Sequence, residues 1–302
     1  MEEVYHIPAL LSETLEGLNI SPSGIYVDVT LGGAGHSRAI LERLGQDGRL
    51  FSFDQDADAL QRIADTDSRW TLVHGNFRYV RHFLDFYGVP AYSADEIGSG
   101  IDGLLADLGV SFHHFDEAER GFSFRFDGPL DMRMNRSGGK TAADIVNSYD
   151  EESLARVLFL YGEMKNSRSL ARRIISRRPL TTTRQLADVI GDDKKDLAKT
   201  FQALRMEVND EMSALREMLD SAGAMLRPGG RIAILTYHSL EDRLVKNFFK
   251  SGNTDGRIEK DFYGNRLSPF RLVNRQVITP SNDEVERNPR ARSAKLRIAE
   301  KI

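Results

Sequence analysis

The chain contains no cysteine among its 302 residues. This absence excludes disulfide bonds, thiolate metal sites, iron–sulfur clusters and cysteine nucleophiles together. Histidine could still bind a metal, but the histidines are too scattered along the chain to indicate a set of ligands. We therefore expect no metal site.

Long hydrophobic runs are also absent. No window approaches the roughly 18 consecutive apolar residues that span a bilayer, and residues 1–4 lack the basic start and apolar run of a leader peptide. Hydrophobic residues make up 40% and charged residues 28%, values typical of a folded globular protein. We expect a cytoplasmic protein that does not contact the membrane, and its length allows one large domain or two modest ones.

An excess of positive charge is lacking too, since 41 basic and 45 acidic side chains give a net charge of −4. The basic residues are nevertheless clustered: seven lie in 165–184 and five in 287–299, and neither stretch contains an acidic residue. This clustering predicts two local positive surfaces that could contact a polyanion. Solvated helix faces are the alternative interpretation.

Strand-like and helical patterns alternate in the first part of the chain, which predicts βαβ units and a mainly parallel sheet. A fifth strand of similar quality appears only after more than a hundred residues with helical spacing. The predicted fold is therefore α/β, with a sheet domain formed by residues 1–111 and 208–302 and an inserted helical domain at 112–207. The predicted strands are 25–30, 49–54, 70–74, 101–107 and 231–236, with a final edge in 272–279 and 295–299. The predicted helices between the fourth and fifth strands are 153–161, 167–177, 183–190 and 195–225.

A glycine-rich turn at residues 31–35 follows the first strand, where a ligand can approach the backbone and the start of a helix. Asp54 ends the second strand, about 20 residues further on, which suits an acceptor for the two hydroxyls of a ribose. The turn lacks the third glycine of a dinucleotide loop, because Arg38 occupies that position. Asp28 at the end of the first strand would suit the cationic end of S-adenosylmethionine, so we favour that cofactor.

Seven ordered motifs resemble the MraW (RsmH) family of small-subunit ribosomal RNA (cytosine-N4)-methyltransferases. They are HIPALL at 6–11, DLGVS at 107–111, RGFSF at 120–124, GPLDMRM at 128–134, TFQALR at 200–205, YHSLEDR at 237–243 and NPRARS at 288–293. The resemblance implies a class I, Rossmann-like methyltransferase fold with a helical insertion. It also implies that the target cytosine lies in the decoding region of 16S rRNA, within the small ribosomal subunit.

By motif, the resemblance implies cofactor contacts from six residues. They are Ala34, Gly35, His36, Asp54, Phe77 and Asp107. The family usually continues DLGVS with Ser-Pro-Gln, whereas this chain has Phe112, His113 and His114. His114 would then have to replace the glutamine's contact with the cofactor, and it is a weak substitute.

Methylation of an exocyclic amino nitrogen needs that nitrogen held in line with the methyl group and a group that accepts its proton. Asp107, at the end of the fourth strand, is the first catalytic candidate, although it could instead bind the cofactor. Many amino-methyltransferases have Asp-Pro-Pro-Tyr or a relative there, and this chain lacks the aromatic residue of that motif. His238, just beyond the fifth strand, is the second candidate. The alternative is that Ser239 is the N-cap of a helix, with Asp242 three residues on as in a capping box. His238 would then only pack against its neighbours.

A stacked base cannot reach a buried methyl donor, so the target must be single-stranded or flipped. Phe122, Phe124 and Phe126 could stack on bases, or they could form a buried edge. Asp131 and Arg133 could gate the cytosine or form a structural ion pair. The better candidates for phosphate contacts are basic residues of 168–178 and the tail residues Arg290, Arg292, Lys295 and Arg297.

Three other functions compete with this one. An RNA-binding assembly factor without turnover would not need Asp28, Gly35, Asp54 and Asp107. Ribose 2′-hydroxyl methylation typically uses a Lys-Asp-Lys-Glu set, and two such lysines cannot be placed at strand ends. A protein methyltransferase would leave the basic stretches unexplained. The sequence leaves both a monomer and a homodimer open.

Overall fold

The structure, a computed structural model, describes residues 7–64, 67–96, 98–109, 117–264 and 266–302. It divides into two compact units, one formed by residues 1–109 with 213–302 and the other by residues 110–212. We name them the sheet unit and the helical unit. Among the described residues, no helix combines the length and the apolar character needed to cross a membrane.

The sheet unit is built on seven strands in the order β3-β2-β1-β4-β5-β9-β8. The strands β1 to β5 are parallel, whereas β9 is antiparallel to both β5 and β8. This arrangement confirms the predicted α/β fold. The bounds are β1 Ile25–Asp28, β2 Arg49–Asp54, β3 Trp70–His74, β4 Ile101–Asp107, β5 Leu226–Thr236, β8 Phe270–Leu272 and β9 Lys295–Lys301; β6 Glu259–Lys260 and β7 Arg266–Leu267 form a separate two-stranded sheet.

Strand β4 lies at the centre of the sheet and is almost wholly apolar. Ile101, Leu104 and Leu105 are completely buried, as expected for a parallel strand covered on both faces. Because β1 pairs with β2 on one side and with β4 on the other, the strand order reverses between β1 and β4. Open α/β sheets bind their ligands at the carboxyl ends of the strands at such a reversal.

The helices of the sheet unit begin with one before β1 that the sequence did not indicate. Their bounds are α1 Leu11–Leu18, α2 Gly35–Leu41, α3 Ala57–Gln61, α4 Val80–Phe86, α10 Glu211–Met225, α11 Ser239–Ser251 and α12 Asn282–Arg287, and 3-10 turns occupy Phe77–Tyr79 and Pro289–Ser293; α10 begins just before the boundary of the unit.

Two predictions about the sheet unit need correction. Strand β5 starts at Leu226 and includes Pro228, whereas the predicted strand began at residue 231, and its pairing with β4 is irregular between Ile101 and Gly103. The final edge is formed by β8 and β9, while Ile278 contributes only an isolated bridge to Leu296. Glycine and proline mark a turn in the sequence but do not exclude an irregularity of this kind in a strand.

In its described part, the helical unit packs five helices around an apolar core that includes Leu154, Leu158, Leu170 and Leu204. The side chains of Thr141 and Thr182 form capping boxes that begin two of these helices. The bounds are α5 Ala142–Ser148, α6 Glu151–Leu160, α7 Ser167–Ser176, α8 Thr183–Ile190 and α9 Lys194–Val208, with a 3-10 turn at Ala118–Arg120.

The predicted single helix at 195–225 is wrong. Helix α9 ends at Val208 and α10 begins at Glu211, because Asp210 adopts a left-handed conformation with φ of 47°. The side chain of Asn209 stabilises the break: it accepts a hydrogen bond from the amide of Met134 and donates one to the carbonyl of Met132, both at 2.8 Å. These contacts are long-range, so the local periodicity could not reveal them.

Candidate active site at the carboxyl edge of the sheet

Asp28, the last residue of β1, lies inside the turn that follows it. Only 1% of its surface is exposed. One carboxylate oxygen accepts hydrogen bonds from the amide of Thr30 at 3.0 Å, and the other accepts one from the Ser37 hydroxyl at 2.6 Å. Burial raises the pKa of Asp28. The expectation that this carboxylate faces the cationic end of a cofactor is therefore corrected: Asp28 holds the turn against α2.

The glycine-rich turn reverses the chain through two left-handed residues, Gly32 with φ of 48° and Ala34 with φ of 62°. For alanine, this conformation costs roughly 1 kcal/mol, and such strain often occurs at ligand loops. Ala34 is fully buried, so its side chain offers no surface to a ligand. Gly35 opens α2, and a Cβ there would lie 3.0 Å from the ring of Pro8.

Asp54, the last residue of β2, faces the same turn. Its carboxylate oxygens accept hydrogen bonds from the amides of Gly32 at 3.0 Å and Asp56 at 2.9 Å. A carboxylate oxygen can accept two hydrogen bonds, so each retains capacity for a ligand hydroxyl. Burial, together with the nearby carboxylates of Asp56 and Asp28, raises the pKa of Asp54 to about 6.

Phe77 follows β3 at the same edge of the sheet. The amide of Gly75 donates to the carbonyl of Asp54 at 2.9 Å, and the Asn76 side chain donates to the side chain of Gln55 at 2.8 Å. These two bonds fix the 3-10 turn that begins at Phe77 beside the end of β2. The ring is half-buried, so part of it can contact a ligand.

Asp107, the last residue of β4, meets three groups from neighbouring elements. Its amide donates to the Thr30 hydroxyl at 2.6 Å, and one carboxylate oxygen accepts from the Tyr237 hydroxyl at 2.8 Å. The second carboxylate oxygen lies 3.6 Å from Nδ1 of His36. Burial raises the pKa of Asp107, and burial together with the adjacent aspartate raises that of the Tyr237 hydroxyl. Asp107 is thus a more basic carboxylate than an exposed one, with an oriented hydrogen-bond donor on one side.

His36 connects this carboxylate to the segment before α1. Its Nε2 lies 3.1 Å from the carbonyl oxygen of Ala9, and since a carbonyl only accepts, Nε2 carries a hydrogen. The ring is 5% exposed. His36 therefore positions Asp107 and the start of α2, and its side chain offers little surface for a ligand.

Tyr237 is the residue that the sequence reasoning missed. The aromatic group absent from residues 107–110 is supplied by the residue after β5, whose hydroxyl reaches Asp107. The one available signal was its place at the end of a predicted strand beside β4, in the YHSLEDR motif.

His238 begins α11 as its N-cap, which corrects the assignment of that role to Ser239. Its Nδ1 faces the amide of Glu241 at 3.5 Å, and its Nε2 lies 3.0 Å from a carboxylate oxygen of Glu241. The other oxygen of Glu241 accepts from the amide of Tyr237 at 3.1 Å. Asp242, the supposed partner of Ser239, instead binds Arg297 at 2.6 Å.

Comparison with models of protein families identifies the family of this chain. The model described as the MraW methylase family matches residues 3–302. The chain belongs to the MraW methylase family. Its fold is the predicted class I methyltransferase fold, and its methyl donor is S-adenosyl-L-methionine.

Curated relatives cover the full length of this family member. The "Ribosomal RNA small subunit methyltransferase H" of Parabacteroides distasonis is 59% identical, with 100% of this chain and 99% of that protein covered. The protein of the same name from Phocaeicola vulgatus is 56% identical over 99% and 98%. A solved rRNA methylase from Streptococcus thermophilus is more distant, with a TM-score of 0.41 and 14% identity over 98% of this chain and 99% of that one.

The geometry of this MraW methylase fits the methyl donor. Asp54 has acceptor capacity for a ribose, and Gly33 is exposed on the turn, so a ligand can approach its backbone closely. Of the residues expected at the site, the structure brings the turn residues Ala34, Gly35 and His36 together with Asp54 and Asp107 at one edge of the sheet. Phe77 lies beside them and His238 follows the neighbouring strand, whereas His114 lies outside the described residues.

The expected RNA-binding residues of this family member divide into exposed cations and structural ones. Arg168 and Arg177 on and just after α7 are exposed, whereas the guanidinium of Arg178 donates to the carbonyls of Val146 and Tyr149. In the tail, Asp242 binds Arg297 at 2.6 Å and lies 3.6 Å from Lys295, while Arg290 and Arg292 are exposed.

The phenylalanine segment of the helical unit is not a strand. Phe122 is buried, and Phe124 packs edge-on against Phe201 with ring centres 5.5 Å apart; Phe126 is 47% exposed. The alternative interpretation, in which these rings pack inside the protein, therefore holds for Phe122 and Phe124. Asp131 binds Arg133 at 2.8 Å, and this pair lowers the pKa of the aspartate, as a structural ion pair does.

Proposed function

We propose that this chain transfers a methyl group from S-adenosyl-L-methionine to the exocyclic N4 of a cytosine in the decoding region of the small-subunit rRNA. The curated relatives support the RNA class, since proteins 59% and 56% identical over nearly the whole chain are named as small-subunit rRNA methyltransferases. The resemblance of the seven motifs supports the choice of base and atom.

The observation that carries the proposal is the carboxylate of Asp107, partly buried at the end of β4 and oriented by Tyr237. An amino nitrogen that gains a methyl group must lose a proton, and a carboxylate with a raised pKa accepts one well. The second carboxylate oxygen of Asp107 makes no hydrogen bond shorter than its 3.6 Å approach to His36 within the described residues. It is the acceptor available to a substrate.

The absence of cysteine supports nitrogen as the target. Methylation at carbon 5 of a pyrimidine generally begins with attack of a thiolate on the ring, and this chain has none. The described residues that contact Asp107 are Thr30, His36 and Tyr237, and none is a lysine of the kind that activates a ribose hydroxyl.

In the proposed mechanism, the bound cofactor supplies a methyl group on a sulfonium, which is a strong electrophile. Asp107 accepts a hydrogen bond from the amino group and so turns the nitrogen lone pair out of conjugation with the ring. It takes the proton as the nitrogen–carbon bond forms and the carbon–sulfur bond breaks. Tyr237 holds the carboxylate during this step, and Asp54 would hold the ribose of the bound cofactor.

Nucleoside analysis of a deletion strain tests the proposal. Mass spectrometry of its small-subunit rRNA should show the loss of N4-methylcytidine, and the gene on a plasmid should restore it. Loss of a ribose-methylated or carbon-methylated cytidine instead would refute the choice of atom. Unchanged rRNA with a loss of protein methylation would refute the substrate class.

A further inference from the structure

The helical unit contains a cavity of about 260 Å³ that none of the functional residues discussed above lines. Its volume lies just below the roughly 300–1,000 Å³ typical of pockets for drug-sized ligands, so a ligand of the size of a single base fits it. Its lining combines aromatic, apolar and charged side chains: Tyr149, Arg156, Val157, Leu160, Tyr161 and Glu207.

Three helices form this cavity. Arg156, Val157 and Leu160 lie on one face of α6, and Tyr161 follows the helix directly. Tyr149 is the residue after α5, and Glu207 lies in the last turn of α9. The side-chain amide of Gln202, on α9, donates to the carbonyl of Tyr161 at 3.1 Å. The walls are therefore held by regular structure rather than by a loose loop.

Glu207 is placed where a helix disfavours it. A carboxylate in the last turn of a helix lies near the negative end of the helix dipole. Within the described part of the chain, no ion pair compensates its charge. Its Oε1 accepts a hydrogen bond from the Tyr149 hydroxyl at 2.8 Å. Burial and the carboxylate raise the pKa of Tyr149 to about 12, so this hydroxyl stays a donor at neutral pH and Oε2 is left as an acceptor.

Arg156 gives the cavity its opposite charge. The side chain is exposed on α6 and makes no hydrogen bond or ion pair with the described residues. A ligand that fits the cavity thus has a flat apolar face for the tyrosines, hydrogen-bond donors for Glu207 and a negative group for Arg156. An unpaired nucleotide has all three.

We propose that this pocket binds one unpaired base of the RNA substrate, with guanine preferred. The inference rests on the proposed RNA substrate and adds a second base contact to it. Guanine presents two adjacent donors, N1–H and the 2-amino group, which a carboxylate accepts together. Adenine and cytosine present a single amino group on that edge, and in uracil the N3–H lies between two carbonyl oxygens that a carboxylate repels.

Single-stranded RNA hexamers test the preference. The full-length protein is saturated with S-adenosyl-L-homocysteine, and its affinity for UUGUUU and for UUUUUU is measured by fluorescence anisotropy. We expect the guanine-containing hexamer to bind about tenfold more tightly, and Glu207→Gln to abolish the difference. Equal affinities of the parent protein for both hexamers would refute guanine binding in the pocket. An undiminished guanine preference in Glu207→Gln would refute it as well.

Two control variants separate recognition from folding. Glu152→Gln makes the same change at an exposed position of α6 outside the cavity, and it should keep the full preference. Arg156→Ala alters an exposed side chain and should weaken binding of both hexamers while the guanine preference remains. If Arg156→Ala binds both as the parent does, the cavity is not the site of contact.

Failure of this inference can be told from failure of the proposed function. If the protein methylates small-subunit RNA but shows no guanine preference among the hexamers, only the proposed guanine pocket is refuted. A guanine preference that depends on Glu207, in a protein that does not methylate this RNA, would refute the proposed function alone.

Discussion

At the scale of single residues, the candidate site depends on how the sheet encloses carboxylates. Asp28 is enclosed by the turn and α2, while Asp54 and Asp107 each keep acceptor capacity that no described residue uses. All three end parallel strands and look equivalent in the sequence. Their different roles follow from their partners: Ser37 binds Asp28 from the following helix, whereas Tyr237 is 130 residues away from Asp107 along the chain.

Replacement of the proposed proton acceptor tests its role directly. Asp107→Asn keeps the shape of the side chain but removes its basicity, so the single-turnover rate of methyl transfer should fall roughly 100-fold. Tyr237→Phe leaves the carboxylate and removes the 2.8 Å hydrogen bond, and it should cause a smaller loss. Because Asp107 is also an expected cofactor contact, thermal unfolding followed by circular dichroism serves as the folding control. A rate in Asp107→Asn close to that of the parent would exclude Asp107 as the acceptor.

The raised pKa of Asp54 predicts a pH dependence. Its pKa is about 6 in the folded protein against an ordinary 3.8, so the folded state binds this proton more tightly than the unfolded chain does. The resulting stabilisation is complete below the ordinary value and is lost as the pH rises through about 6.

Cofactor binding should change in the opposite direction, because ribose hydroxyls donate to the ionised carboxylate. The affinity for S-adenosyl-L-methionine should therefore weaken below about pH 6, by up to about tenfold per pH unit. Calorimetric titrations across this window should show a flat profile in Asp54→Asn. An identical slope in that variant would assign the dependence to another group, such as a histidine.

At the scale of elements, the five predicted parallel strands and the glycine turn could be recognised because their signals are local. Alternation of apolar runs with helical spacing suffices for β1 to β5. The break between α9 and α10 could not be predicted, since Asn209 binds backbone groups 75 and 77 residues away. The same holds for Tyr237, whose partner is 130 residues away.

Helix α11 allows the capping and the proposed catalytic roles of His238 to be separated. Asparagine is a good N-cap, so His238→Asn should keep the free energy of unfolding, whereas His238→Ala should lose about 1 kcal/mol. If the imidazole and Glu241 assist proton transfer, both variants should lower the methyl-transfer rate by about tenfold. Chemical denaturation and single-turnover kinetics measure the two effects. Parent-like rates in His238→Asn would leave His238 as a cap only.

At the scale of the whole molecule, a net charge of −4 does not prevent binding to RNA, because the exposed cations are concentrated locally. Arg168 and Arg177 belong to such a cluster in the helical unit. The sequence could locate the cluster but could not show which members are used structurally, as Arg178 is.

The double variant Arg168→Ala with Arg177→Ala tests this surface. The slope of log affinity for rRNA against log salt concentration is negative. If each residue contacts one phosphate, the double variant should make this slope shallower by about two and should lower the affinity. Lys246→Ala with Lys250→Ala removes two exposed cations from α11 and is the matched control. A decrease of the same size in the control would show that the contribution of α7 is not specific.

The most direct measurement is methyl transfer by the purified protein to small ribosomal subunits from a deletion strain, followed by mass spectrometry of the nucleosides. The account predicts one new N4-methylcytidine per subunit with the parent protein and almost none with Asp107→Asn. Methylation at another atom, or an equal yield from Asp107→Asn, would contradict it.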